Sequence, residues 1–277
     1  MKLGVFMFAT DYAMRIDELA RAAEARGFES LFVPEHTHIP TSRRSPWPGG
    51  ADLPKEYWHT LDPFVALTAA AAATERLRIG TGICLLTERD PIITAKEAAT
   101  LDVLSNGRFE LAIGAGWNAE EMAHHGTAFA SRFKVMSERA RAIQTLWREE
   151  APEFHGEFVD FDPLWSYPKP LQDGGPPILI GGESDHTLRR VVDFGDGWFP
   201  RGRGGFDAAV NVARLQHIAE DRGRDLSTLS ISVFGAPADA AVLDAYREAG
   251  IDRAVLALPA AAADNVLPLL DRRASLL

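Results

Sequence analysis

Short apolar segments alternate with amphipathic segments along nearly the whole chain. The first apolar segment, Leu3–Phe8, precedes a helical pattern over Arg15–Arg26, where apolar residues recur three, four and seven positions apart. Gly27 ends this helix, and the next apolar segment is Glu29–Val33. Because the connection is too long for a hairpin, the pattern predicts a strand–helix–strand unit of a parallel sheet.

The same alternation predicts six more strands. They are expected at Arg78–Ile83, Phe109–Ile113, Pro177–Ile180, Gly197–Pro200, Leu229–Val233 and Arg253–Leu258. Eight strands that are nearly all followed by helices are typical of a (β/α)8 TIM barrel, so residues 1–277 are predicted to form one α/β domain of this fold. A Rossmann fold fits less well, because no G-x-G-x-x-G motif follows the first strand.

Two long connections interrupt the alternation. Residues 37–61 follow the second strand and contain four prolines, two adjacent glycines and several aromatic residues. Connections of this length are usually functional or disordered, and the aromatic residues argue against disorder, so a lid or a pocket wall is predicted rather than a loop without function. Residues 151–176 precede the fifth strand and are predicted to form an inserted excursion of short strands and loop.

The helix between the third and fourth strands has clear boundaries. Asp90-Pro91 favours a helix start, and Asn106-Gly107 tolerates the left-handed turn that ends one. The strands on either side end in the glycine-bearing turns Gly80-Thr81-Gly82 and Gly114-Ala115-Gly116. Bare backbone at these strand ends would let a flat ligand approach closely, although the same glycines also suit tight turns alone.

Composition excludes several classes of function. The formal net charge of −10 and the absence of a Lys/Arg-rich run argue against a nucleic-acid partner. Cys84 is the single cysteine, so neither an internal disulfide nor a thiolate metal site is available, and the histidines lack metal-ligand spacing. With no signal peptide and no apolar run long enough for a membrane span, we expect a cytoplasmic protein without a metal.

Two strand ends carry candidate chemistry. Glu35-His36 follows the second strand and is the one obvious acid/base pair at the carboxyl ends of the strands, where TIM barrels hold their active sites. The alternative is a simple strand cap. Gly181-Gly182-Glu183-Ser184 lies between a strand and a helix, where backbone N–H groups and the helix dipole favour an anion such as phosphate. Glu183 would then point away, and a tight turn capped by Ser184 is the alternative.

Three tryptophans suggest an apolar or aromatic substrate pocket. They are Trp47 and Trp58 in the 37–61 connection and Trp117 after the fourth strand. The same residues could equally pack the lid against the barrel.

Three segments in this order resemble the luciferase-like monooxygenase superfamily, and especially its coenzyme F420-dependent oxidoreductases of actinobacterial type. The segments are FVPEH, RIGTGICLLTERDPIITAKEAATLDVLSNGRFELAIGAGWNAEEM and PPILIGGESDHTLRRVVDFGDGWFP. The resemblance implies a TIM barrel with the cofactor ring over the ends of the first strands and the cofactor phosphate near the later ones. It also implies a homodimer.

The resemblance assigns roles to individual positions. His36 corresponds to the family's catalytic acid/base or ring-contacting histidine, with Glu35 beside it, and Gly82-Ile83 to a turn whose cis peptide bond supports the ring. The cofactor-binding positions that it implies are Thr81, Gly82, Ile83, Gly114, Ala115, Gly116, Asn118, Gly181, Gly182 and Glu183. Gly114–Gly116 and the residues from Asn118 to Glu121 correspond to the family's loop along the cofactor ring and its ribityl side. Many relatives have Asp where this chain has Glu35. Relatives that act on glucose 6-phosphate have Glu where this chain has Trp117, so that substrate is not supported.

The leading functional hypothesis is an oxidoreductase that transfers a hydride between F420 and a small organic substrate, with His36 as acid/base or hydrogen-bonding group. The first alternative is an FMN-dependent luciferase-like monooxygenase that uses O2 and a separate flavin reductase. The second alternative is a barrel that binds a cofactor without catalysis.

Overall fold

The computed structural model describes residues 1–50, 52–203 and 205–277, and in these residues eight parallel strands close into a barrel. The strands are β1 (Lys2–Phe6), β2 (Ser30–Val33), β3 (Arg78–Thr81), β4 (Phe109–Gly114), β5 (Ile178–Gly181), β6 (Gly197–Phe199), β7 (Ser230–Ala236) and β8 (Arg253–Ala257). Each strand pairs with the next in chain order, and β8 pairs with β1, with Lys2 opposite Arg253 and Phe6 opposite Ala257. The predicted TIM-barrel fold is confirmed.

Helices connect successive strands on the outside of the barrel. They are α1 (Ile16–Ala25), α2 (Pro63–Ala72), α3 (Pro91–Leu104), α4 (Ala119–His124), α5 (Arg132–Arg148), α6 (Asp185–Phe194), α7 (Ala208–Asp221), α8 (Ala240–Glu248) and α9 (Ala263–Ala274). Their starts follow from the sequence, because several begin after a residue whose side-chain oxygen accepts a backbone N–H from the first turn. These residues are Asp62, Asp90, Asn118, Ser184, Asp207 and Asp239. Each such cap is worth about 1 kcal/mol.

The third strand differs from its predicted form. The sequence predicted one strand over Arg78–Ile83, but β3 ends at Thr81 and the chain resumes pairing with β4 only at Cys84–Leu85. The peptide bond between Gly82 and Ile83 is cis. The strand is therefore interrupted at the turn where the resemblance implied a cis bond.

Aromatic side chains fill the upper part of the barrel. Phe6, Phe32 and Phe199 form a buried cluster there, and Phe234 packs on it with its ring centroid 3.9 Å from that of Phe6. A separate and larger cluster joins the outer faces of the strands to the helices. The barrel is thus a packed core, not a channel.

Ion pairs close the amino-terminal end of the barrel. Arg253 is 6% exposed and donates from Nη1 to Glu110 Oε2 at 2.7 Å and from Nε to Glu29 Oε2 at 2.7 Å. Arg78 also pairs with Glu110. Because this end is sealed by paired charges at the strand starts, the open surface lies at the carboxyl ends of the strands.

The two long connections have defined structure where it is described. Residues 37–61 include a 3-10 turn at Lys55–Trp58, and Thr60 forms an antiparallel bridge with Thr10. Residues 151–176 contain a small antiparallel hairpin, Phe154–His155 with Asp160–Phe161. Gln172 in the same segment donates to the backbone oxygen of Phe109, at the amino-terminal end of β4. That part of the excursion therefore lies away from the carboxyl ends of the strands.

Candidate active site

His36 lies just beyond β2 at the carboxyl end of the barrel and is held by Glu121 of α4. Its Nδ1 is 2.8 Å from Glu121 Oε2 and 3.0 Å from Oε1, and the two residues are 8% and 0% exposed. Burial lowers the pKa of His36 to about 4, although the charge of Glu35 opposes this fall. The ring is therefore neutral at pH 7. An imidazole that directs Nδ1–H at a carboxylate keeps a lone pair on Nε2, which is the form of a general base.

Glu121 and Glu88 form a buried carboxyl pair behind the histidine. Burial, followed by the charges of neighbouring carboxylates, raises the pKa of both Glu88 and Glu121. The two side chains hydrogen bond to each other, and two carboxyl groups can do so only when a proton is shared between them. The pair therefore retains a proton at neutral pH.

Glu35 is occupied by other partners. Its Oε1 accepts from Arg89 Nε at 2.6 Å, and its Oε2 accepts from the backbone N–H of Leu85 at 2.7 Å. Arg89 also pairs with Asp62, at the start of α2. These bonds tie the end of β2 to the segment after β3, so Glu35 positions these two segments. The carboxylate that contacts the His36 ring is that of Glu121.

Aromatic side chains surround His36 on its open side. The ring centroids of Tyr57 and Trp117 lie 5.2 Å and 5.8 Å from that of His36. Trp47 packs edge-on against Tyr57 at 5.7 Å. Of the three tryptophans predicted for the pocket, Trp117 thus packs against His36, and Trp47 reaches it only through Tyr57. Trp58 is 49% exposed and lies elsewhere, in a surface groove with Ile39, Pro40 and Leu53.

Tyr57 lies beside His36, but the sequence did not single it out. It is one of the aromatic residues of the 37–61 connection, in which the predicted pocket residues were Trp47 and Trp58. The two residues are adjacent on the 3-10 turn Lys55–Trp58, where successive side chains point in different directions. Without the turn's orientation, the sequence offered no signal to choose between them.

The lid segment is docked onto the start of α4. The backbone N–H of Ala119 donates to Ser45 Oγ at 3.1 Å, and Arg44 pairs with Glu120 at 3.2 Å. The guanidinium of Arg43 lies over the ring of Trp117 at 5.9 Å. Through these contacts residues 37–61 form a wall beside His36.

The glycine turns of β3 and β4 meet at the side chain of Ile83. A Cβ at Gly114 would lie 2.3 Å from Ile83 Cδ1, and one at Gly181 would lie 3.3 Å from Ile83 Cγ2. Glycine is therefore needed at position 114 for packing within the protein, a reason that differs from the predicted ligand approach. Gly82 is similarly crowded by Phe234, 2.9 Å from where its Cβ would be.

The remaining predicted positions in this region are largely engaged in the fold. Thr81 Oγ1 donates to the backbone oxygen of Ala112 at 2.7 Å, and the oxygen of Ala115 accepts from Thr87. Gly116 has a φ of 73°, a conformation that favours glycine. Asn118 is buried and its side chain caps α4. These residues lie at the barrel mouth as predicted, and their side chains shape its backbone.

The turn after β5 leads directly into helix α6, as the sequence predicts. Ser184 caps the ten-residue helix α6, and Gly182 has a φ of 119°. Glu183 accepts from Arg201 Nε and Nη2, both at 2.9 Å. Burial raises the pKa of Glu183, but the bonds from Arg201 outweigh it and lower the pKa overall. The negative charge of Glu183, which disfavours a phosphate at this turn, is thus neutralised by Arg201.

The mouth of the barrel fits a long, flat cofactor with an anionic end. Phe8, Ile83, Phe234 and Ala257 are half-buried apolar residues on top of the buried aromatic cluster, so they provide a surface for a ring system. The start of α6 offers backbone donors for a phosphate. Among the described residues no group of histidine, cysteine and carboxylate side chains could hold a metal ion, and none of their helices has the length and apolar character needed to cross a membrane.

Comparison with known families decides the classification. The family described as luciferase-like monooxygenase matches residues 1–271. The chain belongs to the luciferase-like monooxygenase family. An uncharacterized protein of Mycobacterium tuberculosis is 36% identical over 278 residues, which cover 99% of this chain and 98% of that protein.

Solved structures of other proteins share the fold of this luciferase-like chain. The monooxygenase RslO1 from Streptomyces bottropensis is 20% identical, with a TM-score of 0.82 over 100% of this chain and 98% of that one. An F420-dependent secondary alcohol dehydrogenase, solved with an F420–acetone adduct, is 18% identical, with a TM-score of 0.78 over the same shares. At these identities the likeness is one of fold.

Proposed function

We propose that this protein is an oxidoreductase that transfers a hydride between coenzyme F420 and a small organic substrate. The observation that carries the proposal is a neutral histidine, His36, whose Nδ1 is held by Glu121 and whose Nε2 has no protein partner among the described side chains. Hydride transfer between an alcohol and a carbonyl compound requires that a proton leave or reach the substrate oxygen. A neutral imidazole at the barrel mouth is suited to that task.

His36 would hold and move the proton at Nε2. In the oxidative direction Nε2 accepts the proton of the substrate hydroxyl, and in the reductive direction it returns one to the carbonyl oxygen. Glu121 fixes the ring orientation and stabilises the imidazolium that forms, as carboxylates do in other histidine-based sites. General acid–base catalysis of this kind contributes about 10²–10⁴-fold to a rate.

The rest of the mouth would bind and orient. When bound, the deazaflavin supplies a carbon that accepts or donates the hydride. Phe8, Ile83 and Phe234 would contact its ring, and the Gly181-Gly182 turn at the start of α6 would hold its phosphate. Tyr57 and Trp117 would limit access of water to the reacting atoms.

An FMN-dependent monooxygenase is the second candidate, supported by the structural likeness to the monooxygenase RslO1. The same apolar surface and phosphate turn would accept FMN. This function would use O2 and require a separate flavin reductase as partner, whereas the F420 function requires neither.

The two candidates are separated by an anaerobic assay. Reduced F420 is mixed with the protein and a panel of small aldehydes and ketones, and the return of the oxidised F420 absorbance is followed. Catalysed oxidation of the cofactor by at least one carbonyl compound is the expected result. Failure across the panel, together with O2-dependent turnover on reduced FMN, would contradict the F420 proposal.

A further inference from the structure

A chain of hydrogen bonds leads from His36 away from the barrel mouth. Glu121 contacts Nδ1 of His36 on one side and hydrogen bonds to Glu88 on the other. The hydroxyl of Thr37 is 3.4 Å from Glu88 Oε2 and 3.3 Å from His125 Nε2. The inner residues are buried, whereas Thr37 and His125 are exposed. The chain therefore connects a buried ring nitrogen with solvent.

Every link of this chain can both give and take a proton. The carboxyl pair holds a proton, and a hydroxyl can donate to one neighbour while it accepts from the other. Burial, then the charges of His38, His124, Arg139 and Arg89, lower the pKa of His125, so its ring is neutral at pH 7 and can accept a proton. The two contacts of the Thr37 hydroxyl are long for hydrogen bonds. We therefore expect proton transfer through Thr37 to be the slowest step.

Other charged groups near the chain have partners of their own. Glu35 is bound by Arg89. The ring nitrogens His38 Nε2 and His124 Nδ1 lie 2.8 Å apart. His124 is thus a neighbour of His125 on the same surface, but its Nδ1 is directed at His38 and not at Thr37.

We propose that Glu121, Glu88, Thr37 and His125 form a proton relay between His36 and solvent. Its use in turnover rests on the proposed function. When Nε2 of His36 accepts a proton from the substrate, Nδ1 gives its proton to Glu121. Glu88 then gives its proton to the Thr37 oxygen, the Thr37 hydroxyl proton passes to His125, and His125 releases one to buffer. One proton enters and one leaves, no electron moves along the relay, and the carboxyl pair holds one proton before and after.

The relay is tested in the cofactor-free protein. With histidine labelled with ¹⁵N, NMR measures the rate at which the His36 Nδ1–H exchanges with solvent. We expect Glu88→Gln to slow this exchange at least tenfold, because an amide does not pass the proton on. Thr37→Val, which removes the hydroxyl at nearly constant shape, should slow it as well.

The surface variants provide a matched pair. His125→Ala should slow the exchange of the His36 Nδ1–H several-fold, and added imidazole should restore it. In the His124→Ala variant this proton should exchange at the wild-type rate. Exchange at the wild-type rate in both Glu88→Gln and His125→Ala would overturn the relay. If Glu88→Gln does not fold, equal rates in His125→Ala and His124→Ala overturn it.

This measurement is independent of the proposed function. It uses neither cofactor nor substrate, so a protein that fails the F420 assay can still show the exchange pattern. Conversely, if the protein oxidises reduced F420 but the relay variants exchange at the wild-type rate, the proposed function stands and the proposed relay is wrong.

Discussion

Nδ1 of His36 lies 2.8 Å from Oε2 of Glu121, although 85 positions separate the two residues in the chain. The barrel brings the end of β2 beside α4, which follows β4, and the capped start of α4 points Glu121 inward. The histidine alone would be a buried base without orientation. With the carboxyl group of Glu121 at Nδ1, the orientation of the ring is fixed.

Removal of the Glu121 charge should weaken proton transfer at His36. Glu121→Gln keeps a hydrogen-bond acceptor for Nδ1 but no longer stabilises the imidazolium, so kcat should fall at least tenfold. KM should change little, because Glu121 lies behind the ring of His36. A variant with the wild-type kcat would show that Glu121 has a structural role only.

Removal of His36 should separate catalysis from binding. His36→Ala should lower kcat by about 10²–10⁴-fold while cofactor affinity changes little, since the proposed contacts to the cofactor ring come from Phe8, Ile83 and Phe234. The comparison requires steady-state kinetics and a cofactor titration of the same preparation. An unchanged rate would remove His36 from the mechanism, and a barrel that only binds cofactor would then be the better description.

Adjacent lid residues should behave differently. Tyr57 packs beside His36, whereas Trp58 is on the outer surface. Tyr57→Ala should therefore raise KM several-fold by opening the pocket wall, and Trp58→Ala should leave KM unchanged. Equal effects of the two substitutions would place the pocket wall elsewhere.

The ion pairs at the amino-terminal end should make the fold sensitive to loss of one partner. Glu110→Gln leaves Arg253 buried without its full charge partner and should lower the free energy of unfolding by about 3–5 kcal/mol. Urea denaturation measures the change. As a control, Asp160→Asn breaks an exposed pair with His155 and should leave the free energy of unfolding nearly unchanged.

Burial of Glu110 raises its pKa, but Arg253 and Arg78 outweigh this and lower it overall. Its contribution to stability is therefore complete above the ordinary pKa of 4.5 and is lost as the pH falls through the lower folded value. The stability difference between wild type and Glu110→Gln should shrink in acid. A difference that stays constant with pH would mean that the interaction does not depend on the charge of Glu110.

The buried histidine should make a second, separate contribution to pH dependence. The pKa of His36 is 6.5 in its ordinary state and about 4 in the folded protein. The unfolded chain therefore binds more protons between these values, and stability should fall by about 3 kcal/mol as the pH is lowered from 6.5 to 4. Unfolding measurements on wild type and His36→Gln across this range should diverge by that amount, and parallel curves would contradict the shifted pKa.

The fold could be predicted from the sequence because its signals are local. Apolar segments of strand length alternate with amphipathic helices, and residues such as Asp90 and Asn106 mark helix ends by their own chemistry. The interruption of the third strand after Thr81 could not be predicted in this way. It depends on how Gly82 and Ile83 pack against β4 and β7 in the closed barrel.

The site was predicted only in part. His36 could be chosen because a histidine at the end of a strand stands out. Its partner Glu121 was expected only as part of the loop along the cofactor ring, and nothing in the sequence pairs it with His36. Glu35 was expected beside it, yet the structure directs that carboxylate to Arg89. The pairing of a carboxylate with a base depends on contacts between distant segments of the chain. The local pattern of a single sequence does not reveal these contacts.

Binding of F420 at the barrel mouth is tested most directly by titration. The purified protein is titrated with F420 and, separately, with FMN, and tryptophan fluorescence is followed, because Trp117 packs against His36 and Trp47 packs against Tyr57, which contacts Phe8 of the proposed ring site. We expect saturable quenching by F420 and little response to FMN. Saturable binding of FMN with no binding of F420 would contradict this expectation.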